Sequence, residues 1–165
     1  MIEYRKVDIS EKEQLKKLIY TVQEAIDRKE FFVPFRDEDI DTMFDEDKAV
    51  TYGAYDNGKL IGTAQFYLGD EFVDDIKKVI GISETIAGEF GGVLILPEYR
   101  GKGIMKQFSV IIIEEARLRN YDYIVSVAHP ENIASNRSIL FTGAKLIKTD
   151  YLGKYYRNMY LLSLN

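Results

Sequence analysis

Apolar positions in this chain recur with two different periods, and the switches between them mark out its elements. Ile2 to Val7 is rich in β-favouring residues and predicts a first strand. Ser10 opens a Ser-x-x-Glu capping box with Glu13, and Leu15, Leu18, Ile19, Val22 and Ile26 follow at helical spacing, which predicts a first helix. Phe31 to Phe35 is aromatic but interrupted by Pro34 and reads as a loop, while Ile40, Met43 and Phe44 share one face of a short acidic helix within Asp37 to Asp47. Ala49 to Tyr55 and Leu60 to Leu68 flank Asp56-Asn57-Gly58-Lys59. Asn-Gly between two β-rich runs predicts a hairpin.

Gly69 to Gly88 carries Phe72, Val73, Ile76, Val79 and Ile80 at helical spacing, with Asp70, Glu71, Asp74 and Asp75 around the start. It reads as an insertion between strands, either a lid over a binding site or a helix covering an apolar edge. Val93 to Leu96 then predicts a buried strand, Pro97 to Gly103 a tight basic turn, and the residues from near Gly101 an amphipathic helix. The apolar stripe of that helix is Ile104, Phe108, Ile111, Ile112 and Ala116. Tyr123 to Ala128 is a short apolar strand ended by His129-Pro130. Asn132 is placed to cap a helix running to about Phe141, with Gly143 as its stop. Ala144 to Asp150 and Tyr155 to Leu164 close the chain as two strands joined around Leu152-Gly153. The order β-α-α-β-β-(insert)-β-α-β-α-β-β implies an α/β or α+β fold, and periodicity takes the reading no further.

Composition narrows the classes. A chain of 165 residues with 46% apolar and 30% charged positions fits one domain, residues 1–165, burying roughly two thirds of its unfolded surface. The net charge of −5 argues against a nucleic-acid partner. The absence of cysteine excludes disulfides, thiolate metal sites and a cysteine acyl-enzyme. Met1 to Ser10 lacks the apolar core of a signal peptide, and no run approaches about 18 apolar residues, so the expectation is a cytoplasmic protein without a membrane partner.

Chemistry concentrates where the central strand hands over to its helix. Gly101 and Gly103, flanked by Arg100, Lys102 and Lys106, sit at a helix N-terminus, where unpaired amides and the helix dipole favour an anion and glycine lets a phosphate approach closely. The Walker loop requires Gly-Lys-Ser/Thr, but Ile104 follows Gly103. The dinucleotide fingerprint requires a third glycine where Lys106 stands. Both patterns fail.

The remaining Pro97-Glu98-Tyr99-Arg100-Gly101-Lys102-Gly103-Ile104 resembles the acyl-CoA-binding motif of the GNAT superfamily of N-acetyltransferases, Arg/Gln-x-x-Gly-x-Gly/Ala at the end of the fourth strand. Arg100 and Gly103 match, and Met105 replaces the last small residue, an expected narrowing beside the pyrophosphate. The resemblance implies a twisted mixed sheet of about seven strands with helices on both faces. It also implies acetyl-CoA as co-substrate, no metal, and an amine acceptor, either a small molecule or a protein or peptide. The backbone of Val93, Leu94 and Ile95 would hold the pantetheine arm and the oxyanion, and the amides of Arg100, Gly101, Lys102, Gly103, Ile104 and Met105 the pyrophosphate.

His129-Pro130-Glu131-Asn132-Ile133-Ala134-Ser135 with Gly143 resembles the family's last block, and looks closest to the branch that acetylates protein N-termini. By that resemblance Asn132 and Ser135 face the cofactor. Many members place a tyrosine seven residues after the asparagine to protonate the leaving thiolate; here that residue is Ile139. Tyr121, Tyr123, Tyr151, Tyr155 and Tyr156 are the other candidates for this acid. Glu89 resembles the carboxylate that many members use as general base, against the plainer reading of a solvated strand-end residue. His129, the only histidine, reads as a strand-end hydrogen-bonding residue. Gly91-Gly92 reads either as a bulge opening the central strand or as a site of close packing. The resulting expectation is transfer of acetyl from acetyl-CoA to a primary amine in a ternary complex. The alternative is a non-catalytic acetyl-CoA-binding regulatory module, and self-association through the C-terminal strands is compatible with both.

Overall fold

In a computed structural model describing residues 1–165, seven strands form one sheet in the order β1-β2-β3-β4-β5-β7-β6. β1 (Ile2–Lys6), β2 (Ala49–Asp56), β3 (Lys59–Tyr67) and β4 (Ala87–Ile95) are successively antiparallel. β4 and β5 (Tyr123–Ala128) are parallel, and β7 (Tyr155–Ser163) lies between β5 and β6 (Lys145–Leu152), antiparallel to both. The one parallel junction is therefore at the centre of the sheet, and α4 (Ile104–Leu118) is its crossover. Mixed sheets of this kind need cover on both faces.

That cover divides by residue parity, because neighbours along a strand point to opposite faces. Phe66, Phe90 and Ile124 join a core built from α1 (Lys12–Glu24), α2 (Asp37–Thr42) and α4, with Leu15, Leu18, Ile19, Ile40, Phe108 and Ile112 among its buried members. Ala87, Val125 and Met159 point the other way and pack with Val73 and Ile76 of α3 (Glu71–Ile80). α5 (Ile133–Phe141) places Ile139 against Ala128, Ala144 and Tyr160, on the face shared with α4. Each fully buried Leu, Ile or Phe contributes about 1.5–3 kcal/mol relative to exposure. The larger cluster, with 24 buried residues, therefore dominates stability.

Several local expectations change. The first capping box belongs to Asp8 and Glu11: Asp8 accepts from the Ser10 amide at 2.9 Å and Glu11 from the Asp8 amide at 3.0 Å. Ser10 instead lies inside a 3₁₀ turn that feeds α1, because Asp8 offers the same geometry two residues earlier and Arg5 anchors Glu11. The helix expected near Gly101 begins at Ile104, since Gly101 and Gly103 both adopt left-handed backbone, at φ 74° and 77°, which a helix cannot include. The central strand runs from Ala87 rather than Val93. Residues 69–88 supply α3 as a regular part of the sheet's cover, capped by Asp70 on the Val73 amide at 2.8 Å and stopped by Gly81 at φ 79°. The Asn57-Gly58 hairpin forms as expected, with φ 49° and 82° at the two turn residues.

Candidate active site

The site begins where β4 and β5 part. They pair only at Ala87–Tyr123, Gly88–Ile124 and Glu89–Val125, although β4 continues to Ile95 and β5 to Ala128. The divergence coincides with a bulge. Register runs Thr63–Leu94 and then Gln65–Gly91, so β4 carries one more residue than β3 across this step, and Gly92 takes φ 63°. Of the two readings of Gly91-Gly92, the bulge is therefore the observed one. It also needs a close approach: a Cβ on Gly92 would stand 1.7 Å from Gln65 Oε1. Gln65 is fully buried and is held by its own donation to Thr63 Oγ1 at 2.9 Å. Beyond the bulge, Leu94 and Ile95 keep β3 on one side, and Val93 to Ile95 have no strand partner on the other, leaving a gap between β4 and β5.

At the end of that gap the turn after β4 is pinned by Tyr99, which donates to Asp56 Oδ2 at 2.5 Å. The Arg100 amide, expected in the cradle, is used inside this turn instead: it donates to Pro97 O at 3.2 Å. The amides of Gly101, Lys102, Gly103, Ile104, Met105 and Lys106 find no acceptor within the chain; the first α4 bond reaching back is Gln107 N–H to Gly103 O at 3.1 Å. A Cβ on Gly101 or Gly103 would meet nothing within 4 Å, so the space before these amides is open. Arg100, Lys102 and Lys106 are exposed and enter no ion pair, though Lys102 lies 5.8 Å from the Tyr99 ring and Lys106 4.7 Å from the Phe141 ring. A run of free amides at a helix start with free cations around it suits a pyrophosphate.

On the α3 face, at the other end of the gap, lies a cavity of about 580 Å³, within the size range of small-molecule sites. The segment Phe31 to Phe35 roofs it, α2 and the start of α3 flank it, and Tyr67, Glu89, Gly91, Val127, Tyr155 and Arg157 reach it from the sheet. Phe31 also stacks on His129, with ring centroids 5.1 Å apart, which ties the roof to the end of β5. Glu89 is 8% exposed and enters no ion pair. Burial, with a smaller contribution from the Asp70 carboxylate, pushes its pKa up to about 8. The solvated strand-end reading of Glu89 is excluded by that burial. Opposite it, Tyr67 is pushed well above the usual phenol range by burial and then by the Glu89 and Asp70 carboxylates, so its hydroxyl stays protonated.

The other residues singled out in the sequence separate clearly. Asn132 caps α5, its side chain accepting from the Ser135 amide at 3.3 Å, so both residues lie at the start of that helix. His129 accepts from the Glu131 amide at 3.1 Å, a local structural bond. Ile139 is 5% exposed inside the α5 cluster and fills space beside Tyr160. Of the tyrosines weighed for its missing hydroxyl, Tyr121 donates to Leu68 O at 2.6 Å, and Tyr151 and Tyr156 stack on each other on the exposed hairpin. Among the five, Tyr155 is the one that lines the cavity.

Two residues at the cavity had not stood out in the sequence, Tyr67 and Arg157, whereas Asp70 belongs to the acidic start of the 69–88 insertion. Arg157 carried a signal, being a lone cation in the apolar strand Tyr155-Tyr156-Arg157-Asn158-Met159-Tyr160. Tyr67 carried none, because its strand-end position becomes informative only through its register with Glu89.

Comparison with known proteins agrees with this architecture. The family model described as the acetyltransferase (GNAT) family matches residues 20–138. A search of curated protein sequences finds no significant match. Among solved structures, an N-acetyltransferase from Staphylococcus aureus Mu50 superposes with a TM-score of 0.76 at 18% identity, covering 99% of this chain and 98% of that one. A putative acetyltransferase from Salmonella typhimurium, solved with its cofactor acetyl-CoA, gives 0.75 at 18% identity over 99% and 94%. The ribosomal-protein-S18-alanine N-acetyltransferase from Escherichia coli gives 0.73 at 12% identity over 100% and 95%. These likenesses show a shared fold, and the family match spans well over half the sequence. The chain belongs to the GNAT family and is an acetyl-CoA-dependent N-acetyltransferase.

Proposed function

We propose that this enzyme moves the acetyl group of acetyl-CoA onto a primary amine held in the Glu89 cavity, by direct attack in a ternary complex. The observation that carries the reading is the position of Glu89: a buried, unpaired carboxyl facing the cavity at the last paired residue before β4 and β5 separate. In this reading the pyrophosphate rests on the amides from Gly101 to Met105, with Arg100 and Lys102 adding charge. The pantetheine arm lies along Val93 to Ile95 in the gap, and the thioester reaches the level of Gly91 and Gly92.

The neutral amine nitrogen forms a bond to the thioester carbonyl carbon, the C–S bond breaks, CoA leaves as thiolate, and the remaining excess proton on nitrogen passes to that thiolate or to solvent, leaving the neutral amide. An ammonium must lose its proton before attack. A carboxyl with a pKa of about 8 accepts that proton with a smaller mismatch than an ordinary glutamate would. The departing thiolate, with a thiol pKa of about 8.5, is a fair leaving group without help. The hydroxyls of Tyr67, held protonated by burial and donating to Gln65 Oε1 at 3.3 Å, and of Tyr155 are the phenols at the cavity. Asn132 and Ser135, at the start of α5, border the cofactor in the same reading.

Self-association belongs to the proposal as well. Leu146, Ile147, Tyr151 and Tyr156 are exposed apolar residues on the β6–β7 hairpin at the sheet edge, and an edge strand of that kind invites pairing with a second copy.

The test uses the missing cysteines: purified protein, acetyl-CoA and a panel of amines, amino acids and peptides, with free thiol followed by a colour reagent. Amine-dependent thiol release supports the reading. If acetyl-CoA raises the melting temperature but no amine releases thiol, the regulatory binding module replaces it.

A further inference from the structure

Arg157 presents an unresolved electrostatic problem. It is 4% exposed, enters no ion pair, and leaves Nη2 buried without any hydrogen-bond partner. Its Nη1 donates to the Tyr156 carbonyl at 2.8 Å, and its guanidinium lies 5.2 Å from the Tyr155 ring centroid. Burial lowers its pKa, and no carboxylate stands near enough to offset that. A buried guanidinium without a counter-charge is strongly disfavoured. In an enzyme, such an orphan in a cavity wall is a site waiting for an anion.

The register shows where that anion would sit. Glu89 is level with Val125, whereas Arg157 precedes Asn158, the partner of Ala128, so it lies beyond the end of β5. Arg157 shares a sheet face with Met159, the face on which Val125 and the cavity lie. A carboxyl and a guanidinium thus occupy different parts of one cavity without pairing to each other. The same wall carries Phe31, Phe32, Phe35 and Phe72, along with Asp39, Asp70 and Lys48.

We propose that the acceptor is a free amino acid with an apolar side chain, its amine directed to Glu89, its carboxylate paired with Arg157 and its side chain against the phenylalanines. The inference rests on the transferase reading above and specifies its substrate class. A peptide N-terminus offers only a neutral carbonyl where the carboxylate should be, and this would leave the guanidinium uncompensated. A simple alkylamine has the same defect.

The experiment compares L-phenylalanine, phenylalaninamide, 2-phenylethylamine and phenylalanyl-glycinamide as acceptors for wild type, Arg157→Gln and Arg157→Lys. The expected result is a wild-type kcat/KM for phenylalanine at least about tenfold above each carboxylate-free analogue, the scale of one charge-assisted pair. That ratio collapses toward one in Arg157→Gln and is partly retained in Arg157→Lys. Phenylalanine, but not its amide, should also raise the wild-type melting temperature, and the rise should vanish in Arg157→Gln. Equal wild-type rates for all four, or a preference that survives in Arg157→Gln, overturns the inference while leaving the transferase standing. Carboxylate-dependent stabilisation without thiol release would instead uphold the Arg157 site and defeat the transfer reading. Preference for the dipeptide amide would assign the cavity to peptide N-termini and refute the amino-acid class.

Discussion

Tyr67 and Glu89 are register partners on antiparallel strands β3 and β4, so a phenol that stays protonated and a carboxyl that resists ionisation project together into one cavity. A general base works only when deprotonated. With its pKa near 8, Glu89 is mostly protonated at neutral pH, and kcat/KM should rise with pH through an apparent pKa of about 8. Glu89→Gln should remove that limb and lower the rate above it by roughly 10²-fold or more. Initial rates measured across the mildly acidic to alkaline range decide the point. A limb that persists unchanged in the variant would assign it to the acceptor amine.

The same residue gives a stability prediction of definite sign. Its folded pKa of about 8 lies above the ordinary 4.5, so the folded state binds a proton that the unfolded state has lost. Stability is therefore full below about pH 4.5 and declines as pH rises toward 8, at up to about 1.36 kcal/mol per unit of pH. Glu89→Gln should melt near the wild type at mildly acidic pH and above it at alkaline pH. Parallel melting curves at all pH values would show that the carboxylate is solvated in the fold.

Gly92→Ala should destabilise the protein by about 1–3 kcal/mol or more, since the new methyl would overlap Gln65 Oε1 and the residue sits at φ 63°. At this chain length that corresponds to a fall in melting temperature of roughly 2–4 °C per kcal/mol. The double variant with Gln65→Ala should recover part of the loss. No recovery would place the cost in the backbone alone.

Gly103→Val and Gly153→Val form a matched pair. Both glycines have positive φ, 77° and 61°, and open space where a Cβ would go, so both substitutions carry backbone strain of about 1–3 kcal/mol without an internal clash. Gly103 lies within the amide cradle at the cap of α4, whereas Gly153 turns the β6–β7 hairpin. Acetyl-CoA should stabilise the Gly153 variant as it does wild type and fail to stabilise the Gly103 variant. Equal responses would remove the cradle from cofactor binding.

Restoring the family's tyrosine at position 139 should not improve the enzyme. Ile139 is packed against Ala128, Ala144 and Tyr160 and is nearly inaccessible, so Ile139→Tyr overfills a closed cluster at a cost of about 1–3 kcal/mol. A lowered melting temperature with turnover no higher than wild type is the expected outcome. A gain in turnover would show that the phenol reaches the thioester.

The order of elements, the Asn57-Gly58 turn, the Asn132 cap and the glycine-bracketed basic turn were all legible in the sequence, because each depends on residues within a few positions of one another. Local chemistry also misled where two local solutions competed: Ser10 and Asp8 both could cap, and only Arg5, across the turn, favours the box built from Asp8 and Glu11. Gly101, Lys102 and Gly103 needed no fold to be recognised as a cradle, since the amides of a helix start are free by geometry. What tertiary structure alone decided was the acceptor side. Glu89 acquires its pKa from burial beneath the Phe31 to Phe35 roof and from Asp70, nineteen positions earlier in sequence. Arg157 becomes an orphan because β7 inserts between β5 and β6 and carries it into a cavity with no carboxylate beside it. Desolvation and unpaired charge belong to the arrangement of distant segments around a site, and no run of neighbouring residues encodes them.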